Sequence, residues 1–467
     1  MTDAALAPHF ARLVDEPICD AFAGRRAVLP WRNKRPLPAD DVPATWASLM
    51  RSHRSSEDRL AYVHVPFCAN HCLFCGFYRN AYTPQATSSY ADLLIEEIEH
   101  EASEPTIRSR PVAAVYLGGG TPSALSAAEL SRILETIKRC LPLTPECEIT
   151  IEGRIIHFDA EKIDAVLEAG VNRISIGVQS FDTDVRRRQG RRASRDEAIR
   201  FLEVIRDRDR AALVIDLLYG LPGQTEAVWR EDLRIATDIA PDGLDLYGLN
   251  LIPGTPLHTA SASGKFRNMA ALREIGRMYS TGVETLAVKG WTHLSNSHWA
   301  RTPRERNVYN LRIKEGVDCL AYGSGAGGLL GRHSYSVAPD LDVYRDAVLA
   351  GRKPILGMLV SDSLEPARNA ITAGLEVGRL DLDRIAIHLG GRLNPAIAPL
   401  LDQWQTAGLV SIEGSIVSLT TAGRFWYGNL VSAFDAVLSD GAPAAATGRL
   451  AGVSRNRETQ QRTSRPS

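Results

Sequence analysis

Six short apolar runs alternate with longer helical stretches between about residue 58 and residue 252. The runs are rich in Val, Ile and Leu, and in chain order they are LAYVHVP, VAAVYLGG, CEITIEG, RISIGVQS, ALVIDLLYG and GLDLYGLN. A strand that is followed each time by a helix predicts right-handed βαβ units and a parallel sheet covered on both faces. Six units suit an open, incomplete version of the (β/α)8 barrel, an α/β fold in which chemistry occurs at the C-terminal ends of the strands.

Composition limits the class of protein. The chain has 467 residues, of which 44% are apolar and 23% charged, and its formal net charge is -1. The near-neutral balance argues against a general nucleic-acid or membrane-surface partner. No apolar run approaches the roughly 20 residues that a membrane-spanning helix needs. The N-terminus carries acidic residues and lacks the apolar stretch of a secretory signal, so the expected compartment is the cytoplasm.

Three of the seven cysteines are clustered in YVHVPFCANHCLFCGFY, directly after the first predicted strand. Cys68, Cys72 and Cys75 have C-x3-C-x2-C spacing, and an odd total in a large chain does not indicate a disulfide framework. One interpretation is a zinc site completed by His64 or His71. The favoured interpretation is a [4Fe-4S] cluster held by three thiolates, which leaves one iron open to a substrate or cofactor.

Further polar and glycine-rich motifs end the later strands. In YLGGGTPS the glycines let backbone amides approach an anionic group, although a tight strand-to-helix turn would also explain them. Gln179 and Asp216 end strands, where they are either site residues or caps of the following helices. Arg191 lies in the basic run RRRQGRR, which is often a solvated surface.

The cysteine spacing together with GVNRISIGVQSFD, DLLYGLPGQT and LIPGTPL, in that order, resembles the radical S-adenosylmethionine (SAM) superfamily over residues 59–330. The match is with its oxygen-independent coproporphyrinogen III dehydrogenase-like subfamily. The resemblance implies that a reduced cluster cleaves SAM to give a 5′-deoxyadenosyl radical. It also implies two SAM molecules, with Phe74 near the second. The implied SAM-binding residues are Tyr62, Gly119, Gly120, Thr121, Glu152, Gln179, Arg191 and Asp216.

Details of four motifs resemble one branch of this subfamily, the haem-utilisation (anaerobilin-synthase-type) proteins. These motifs are CGFY, EGR, SNSHWARTPRERNVYN and GSGAGGLLG. The branch implies anaerobic opening of haem, methylation from SAM and release of iron. It further implies a haem or related tetrapyrrole substrate and a flavodoxin- or ferredoxin-type electron donor. The fourth cysteine of the decarboxylating enzymes and the CD pair of the haem chaperones are absent.

Three alternatives stay open from the sequence. The chain could be a coproporphyrinogen III dehydrogenase-like enzyme, or a haem-binding chaperone that keeps the SAM machinery. A DNA-binding regulator is a further class, against which the neutral charge argues. His293, His298 and His333 are candidate ligands of haem iron, although a single histidine is more often a packing residue.

The predicted organisation has five parts. Two short alternating strands around a glycine turn follow three amphipathic helices near the C-terminus, which is a winged-helix pattern. The tail is small, polar and free of aromatic residues. The parts are an N-terminal extension (1–57), the barrel (58–255), a barrel-covering segment (256–350), a winged-helix-like domain (351–438) and a disordered tail (439–467).

Overall fold

A computed structural model gives the structure of residues 6–29, 32–52, 58–264 and 269–440. The predicted tail lies outside these residues from residue 441 onward. The N-terminal segment contains two helices and one strand, labelled α1 (Pro17–Asp20), β1 (Lys34–Pro36) and α2 (Val42–Arg51).

The six predicted βα units are present. Their strands β2, β5, β6, β7, β8 and β9 lie side by side in that order and are all parallel, as the sequence predicts. The elements are β2 (Arg59–Val65), β3 (Phe67–Cys68), β4 (Asn80–Ala81), α3 (Pro84–Glu101), α4 (Pro105–Arg108), β5 (Val112–Gly119), α5 (Ala127–Cys140), β6 (Leu143–Gly153), α6 (Ala160–Glu168), β7 (Arg173–Gln179), α7 (Thr183–Arg188), α8 (Arg195–Arg206), β8 (Ala212–Tyr219), α9 (Glu226–Ile239), β9 (Gly243–Gly248) and α10 (Pro256–Ala262).

Local sequence explains these elements. Most residues of β7 and β8 are buried, as expected for central strands of the sheet. Ser126 and Ser194 begin α5 and α8 with capping boxes, in which each serine pairs with the glutamate three residues later. The strands therefore end, and the helices begin, at one edge of the sheet.

The covering segment adds strands at both sides of the barrel strands. Its elements are α11 (Leu272–Val288), β10 (Thr292–Ser295), β11 (His298–Ala300), α12 (Val308–Lys314), β12 (Cys319–Tyr322), β13 (Gly327–Leu330), β14 (His333–Val337), α13 (Leu341–Leu349) and β15 (Ile355–Ser361). The complete sheet has 13 strands in the order β1-β15-β14-β13-β12-β2-β5-β6-β7-β8-β9-β11-β10.

Two sequence-based expectations need correction here. The glycine-rich part of GVDCLAYGSGAGGLLG has the composition of a loop, but it contains the strand β13; the short apolar run before it is β12, which is parallel to β2. The main sheet also continues past residue 350, because β15 pairs with β14 and β1. In both cases the strands form because they pair with strands that are distant in the sequence.

The C-terminal part has the predicted order of three helices and a hairpin. Its elements are α14 (Glu365–Val377), β16 (Arg379–Asp381), α15 (Leu382–His388), α16 (Ile397–Thr406), β17 (Val410–Glu413), β18 (Ile416–Leu419), α17 (Thr421–Phe425) and α18 (Tyr427–Ser439). The three strands form a separate small sheet in the order β16-β18-β17.

The N-terminal segment packs on this C-terminal part. The indole nitrogens of Trp404 and Trp426 donate to the carbonyl oxygens of His9 and Pro17 at 3.1 and 2.8 Å. The segment is therefore held against α16 and against the junction of α17 and α18. None of the helices in the described ranges is both long and apolar enough to cross a membrane.

Candidate active site

The cysteine loop leaves the C-terminal end of β2, as predicted. Cys68 and Cys72 are buried, Cys75 is half-buried, and all three are free thiols. A turn closes the loop, since the amide of Cys75 donates to the carbonyl oxygen of Cys72 at 3.0 Å. The three sulfurs line one cavity of about 240 Å³.

Each sulfur lies near a group that can donate a hydrogen bond. The Thr121 hydroxyl is 3.3 Å from Cys68 Sγ, Arg154 Nη2 donates to Cys72 Sγ at 3.4 Å, and the Phe77 amide donates to Cys75 Sγ at 3.3 Å. Burial raises the pKa of Cys68, while Thr121 and Arg154 oppose that shift. Such donors suit sulfurs that carry the negative charge of cluster ligands.

The histidines proposed for a zinc site have other partners. His64 Nδ1 lies 2.9 Å from the Tyr62 hydroxyl, and burial lowers the pKa of His64 to about 4. His71 Nε2 lies 3.1 Å from the Cys75 carbonyl oxygen, and its ring stacks on Tyr78. Among the described residues, no group of three or more His, Cys, Asp or Glu could hold a single metal ion. The zinc interpretation therefore has no support in this geometry, whereas a cluster spreads its thiolates over different irons.

The glycine turn after β5 packs directly on the cysteine loop. Gly119 has a φ of +111°, and a Cβ there would lie 2.6 Å from the His64 ring. A Cβ on Gly120 would lie 2.6 Å from the Phe67 carbonyl oxygen. The turn therefore requires glycine at both positions, and Gly120 lines the cavity of the cysteines. The assignment of Gly119 and Gly120 to SAM binding stays a prediction.

Most of the predicted SAM-binding residues share the cavity with the cysteines. These are Phe74, Gly120, Thr121, Glu152, Gln179, Arg191 and Asp216. Tyr62 lies in an adjoining cavity of about 260 Å³, which also contains Glu152 and Asp216. Gly119 does not line either of these two cavities. The strand ends thus bring together residues from six segments of the chain.

Two half-buried carboxylates of this cavity form no salt bridge in the described part of the chain, although Arg173 in the adjoining cavity attracts both over a longer distance. Glu152 accepts a hydrogen bond from the Tyr116 hydroxyl at 2.7 Å, and burial raises its pKa. Asp216 accepts from Ser175 at 3.1 Å, and burial together with the Asp245 and Glu152 carboxylates raises the pKa of Asp216 to about 7. Anionic groups in this state are stabilised by a bound cation. The pair therefore fits the sulfonium and ammonium charges of SAM.

Gln179 and Asp216 do not cap the following helices, and Arg191 is not a solvated surface residue. Asp182 and Thr225 cap the helices that follow β7 and β8. Arg191 turns inward: its Nη1 donates to the Gly177 carbonyl oxygen at 2.8 Å, and its buried Nε has no hydrogen-bond partner. Its guanidinium also lies 5.9 Å from the centre of the Phe74 ring.

The three later histidines lie apart from the cysteine loop. His293 stacks on Trp299 at 4.2 Å between ring centres. His298 is enclosed by Asp245 and Glu305, 3.0 and 3.1 Å from its two ring nitrogens, so neither nitrogen is free for iron. Burial works to lower the pKa of His298, but these carboxylates raise it to about 9. His333 is in β14, at the other side of the sheet.

One functional residue was not singled out from the sequence. Arg154 donates to both the carbonyl and side-chain oxygens of Asn70 at 3.3 and 3.0 Å, besides its contact with Cys72. It therefore ties the cysteine loop to the end of β6. The signal available was its place directly after that strand, in the motif EGR.

Comparison with known proteins agrees with this geometry. Residues 62–236 match the profile of the radical SAM superfamily. The chain is 45% identical to anaerobilin synthase of Escherichia coli O157:H7, over 93% of this chain and 95% of that protein. The chain belongs to the radical SAM superfamily. Because the likeness to anaerobilin synthase extends far beyond the matched barrel, the chain also belongs to that protein's family.

More distant radical SAM relatives match as well. The oxygen-independent coproporphyrinogen III oxidase of Salmonella typhimurium is 27% identical, over 81% of this chain and 85% of that protein. The heme chaperone HemW of Bacillus subtilis is 25% identical, over 80% of this chain and 98% of that protein. The structure of coproporphyrinogen III oxidase HemN from Escherichia coli has a TM-score of 0.74 and 23% identity, covering 88% of this chain and 97% of that one. This structure shares the fold.

Radical SAM enzymes use a [4Fe-4S] cluster and SAM, and the residues described above fit both. Three free thiols with nearby donors suit the cluster. Two half-buried carboxylates that form no salt bridge suit the cationic cofactor. The cofactors predicted from the sequence are therefore confirmed by the family, and the assignment of individual residues to SAM remains a proposal.

Proposed function

We propose that this protein is an anaerobic haem-opening enzyme, which uses SAM both for radical chemistry and as the source of a methyl group, and yields a linear tetrapyrrole and free iron. The observation that carries the proposal is the 45% identity to anaerobilin synthase over 93% of the chain. That span includes the covering segment and C-terminal part as well as the barrel.

The thiolates of Cys68, Cys72 and Cys75 would hold the cluster. When bound, the cluster supplies the electron with which enzymes of this superfamily cleave SAM. The chain itself contributes the donors from Thr121, Arg154 and the Phe77 amide, which stabilise negative charge on the sulfurs.

Glu152 and Asp216 would bind the positive charges of SAM, while Arg191 offers a buried, unpartnered Nε to a negative group such as its carboxylate. We also include Tyr62, Gly119, Gly120, Thr121 and Gln179 in this site, with Phe74 beside a second SAM. Because the cavity lies at the ends of buried strands, bound SAM would be shielded from water.

A flavodoxin- or ferredoxin-type protein would supply the electron, in the cytoplasm. Cys75 is the most exposed of the three cysteines, and the neighbouring Phe77 side chain is 68% exposed. A donor protein approaching this loop would therefore come close to the cluster edge.

The proposal is tested with protein reconstituted without oxygen and supplied with haem, SAM and a chemical or flavodoxin-type reductant. We expect the Soret band to bleach, iron to be released and 5′-deoxyadenosine to form. SAM cleavage with haem bound and unchanged would identify a haem chaperone instead. Decarboxylation of coproporphyrinogen III would identify an enzyme of that other class. A Cys68→Ala variant with haem and SAM is the matched control for non-enzymatic bleaching.

A further inference from the structure

A second cavity lies beside β9, the last parallel strand of the barrel, and has a volume of about 280 Å³. Its walls come from the N-terminal segment, α12, the covering strands and the C-terminal part. The cavity that contains Tyr62 lies between this second cavity and the cysteine cavity. Asp245, Tyr247 and Asn310 line both the second cavity and the Tyr62 cavity. The cavity is therefore a side extension of the proposed SAM site.

Three cations line this cavity, and each comes from a different part of the chain. They are Arg25, Lys314 and Arg424. In the described ranges, none of them has a carboxylate oxygen within 4.0 Å of its charged nitrogens. The Arg25 guanidinium is 4.7 Å from the Phe425 ring centre and close to Gly248, where a Cβ would lie 2.5 Å from its Nη1. The fold thus concentrates unpaired positive charge here.

The carboxylates of the same cavity do not neutralise it. Asp245 is engaged by His298, whose Nδ1 lies 3.0 Å away. Glu376 is buried, has a side-chain oxygen without a hydrogen-bond partner, and is near Arg424. If the negative charge of Glu376 balances the positive charge of Arg424, the charges of Arg25 and Lys314 are still unbalanced. Two cations therefore face the cavity without counter-ions.

Resting on the proposed haem substrate, we infer that this cavity binds the two propionate carboxylates of the tetrapyrrole, with Arg25 and Lys314 as their partners. Complete sites for drug-sized ligands have volumes of about 300–1,000 Å³, so a cavity at the lower limit suits one end of a macrocycle. The rest of the ring then extends toward the adjoining cavities and the SAM site. Tyr247, which is 40% exposed, supplies aromatic surface beside the cations.

The test compares haem with its dimethyl ester, in which both carboxylates are blocked. Cluster-loaded protein without SAM or reductant is titrated with each ligand, and binding is followed by Soret absorbance. We expect the wild-type protein to bind haem at least about tenfold more tightly than the ester, because charge-assisted hydrogen bonds are the strong ones. Lys314→Met and Arg25→Gln should each weaken haem binding by about tenfold and leave ester binding unchanged.

Arg234→Gln is the matched control, because Arg234 is an exposed cation on α9 that is already paired with Glu231 and Asp238. It should bind both ligands as the wild type does. If Arg25→Gln fails to fold, Lys314→Met and the wild-type comparison still decide the question. Equal affinity for haem and ester in the wild type would overturn the inference and leave the proposed function standing. A wild-type protein that binds neither ligand would overturn both.

Discussion

Charged side chains are arranged differently at the two ends of the barrel strands. Near the start of β7, Arg173 Nε donates to both oxygens of Glu305 at 3.0 Å, and Glu305 in turn lies 3.1 Å from His298. Nearer the C-terminal ends of the strands, the half-buried Glu152 and Asp216 form no salt bridge, and Arg191 keeps an unpartnered Nε. Complete pairing therefore accompanies full burial in one region, and incomplete pairing accompanies partial exposure to a cavity in the other.

This difference distinguishes charged groups that stabilise the fold from charged groups that bind a ligand. A buried ion pair whose partners satisfy each other contributes to a defined fold, and removal of one partner leaves an uncompensated charge. Unpaired buried charges raise the free energy of the protein until a ligand of opposite charge binds. The group of Arg173, Glu305 and His298 thus holds the covering segment to the barrel, whereas we propose that the group of Glu152, Asp216 and Arg191 binds SAM. The predictions below test this division.

The largest effect is expected at the cysteine loop. Replacing Cys68, Cys72 or Cys75 with Ala should abolish assembly of the cluster and SAM cleavage, because each thiolate would ligate a different iron. Iron and sulfide content after anaerobic reconstitution, together with 5′-deoxyadenosine formation, measure this. Cys140→Ala and Cys147→Ala are the controls, since neither residue lies in the cavity, and both should keep the cluster. Stoichiometric zinc with no iron in the reconstituted wild type would refute the cluster assignment.

A substitution in the paired region should lower the stability of the protein. Glu305→Gln leaves Arg173 buried without its counter-ion and should lower the free energy of unfolding by about 3–5 kcal/mol. Glu152→Gln is the matched substitution at the other end, and its cost should stay below about 1 kcal/mol, because no cation is left behind. Urea unfolding of both variants without SAM gives the comparison. Equal losses would contradict the proposed division between the two regions.

Sequence reasoning recovers the cysteine region better than the rest of the fold, for a physical reason. The six barrel strands and the loop after β2 are specified by local periodicity and spacing, so their order and the cavity residues follow from the sequence. Strands β12 and β13 lie in GVDCLAYGSGAGGLLG, whose glycines favour a loop until pairing with β2 and β14 organises them. Arg25, Lys314 and Arg424 are far apart in the sequence, so only the tertiary structure shows that they share a cavity.

A smaller effect is expected on SAM affinity. Asp216→Asn and Glu152→Gln should each weaken SAM binding by about tenfold to a hundredfold, the equivalent of about 1.5–3 kcal/mol for a hydrogen bond to a charged group. The cluster should remain intact in both variants, as judged by its visible absorbance. Anaerobic equilibrium dialysis with labelled SAM measures the affinities. Wild-type affinity in both variants would exclude these carboxylates from the site.

The last prediction concerns a gradual effect, the dependence of stability on pH. Burial and the neighbouring Asp245 and Glu152 carboxylates raise the pKa of Asp216 from 3.8 to about 7, so the folded protein retains a proton that the unfolded chain loses. This contribution to stability is complete below pH 3.8 and is lost as the pH rises toward and through about 7. The free energy of unfolding without SAM should therefore fall over this range, by at most about 1.4 kcal/mol per pH unit from this group.

Asp216→Asn isolates that contribution, because other buried carboxyls such as Glu101 also have a raised pKa. The difference in unfolding free energy between wild type and variant should change between pH 5 and 8, and added SAM should reduce the change. A difference that is constant across this range would show that Asp216 does not titrate in the folded protein.

The most direct test of the proposed function is the mass of the tetrapyrrole formed from haem and SAM that carries a deuterated methyl group. With reductant and without oxygen, we predict an open-chain, iron-free tetrapyrrole that contains the labelled methyl, together with 5′-deoxyadenosine. Recovery of unaltered haem, or of an opened product without the label, would contradict the account.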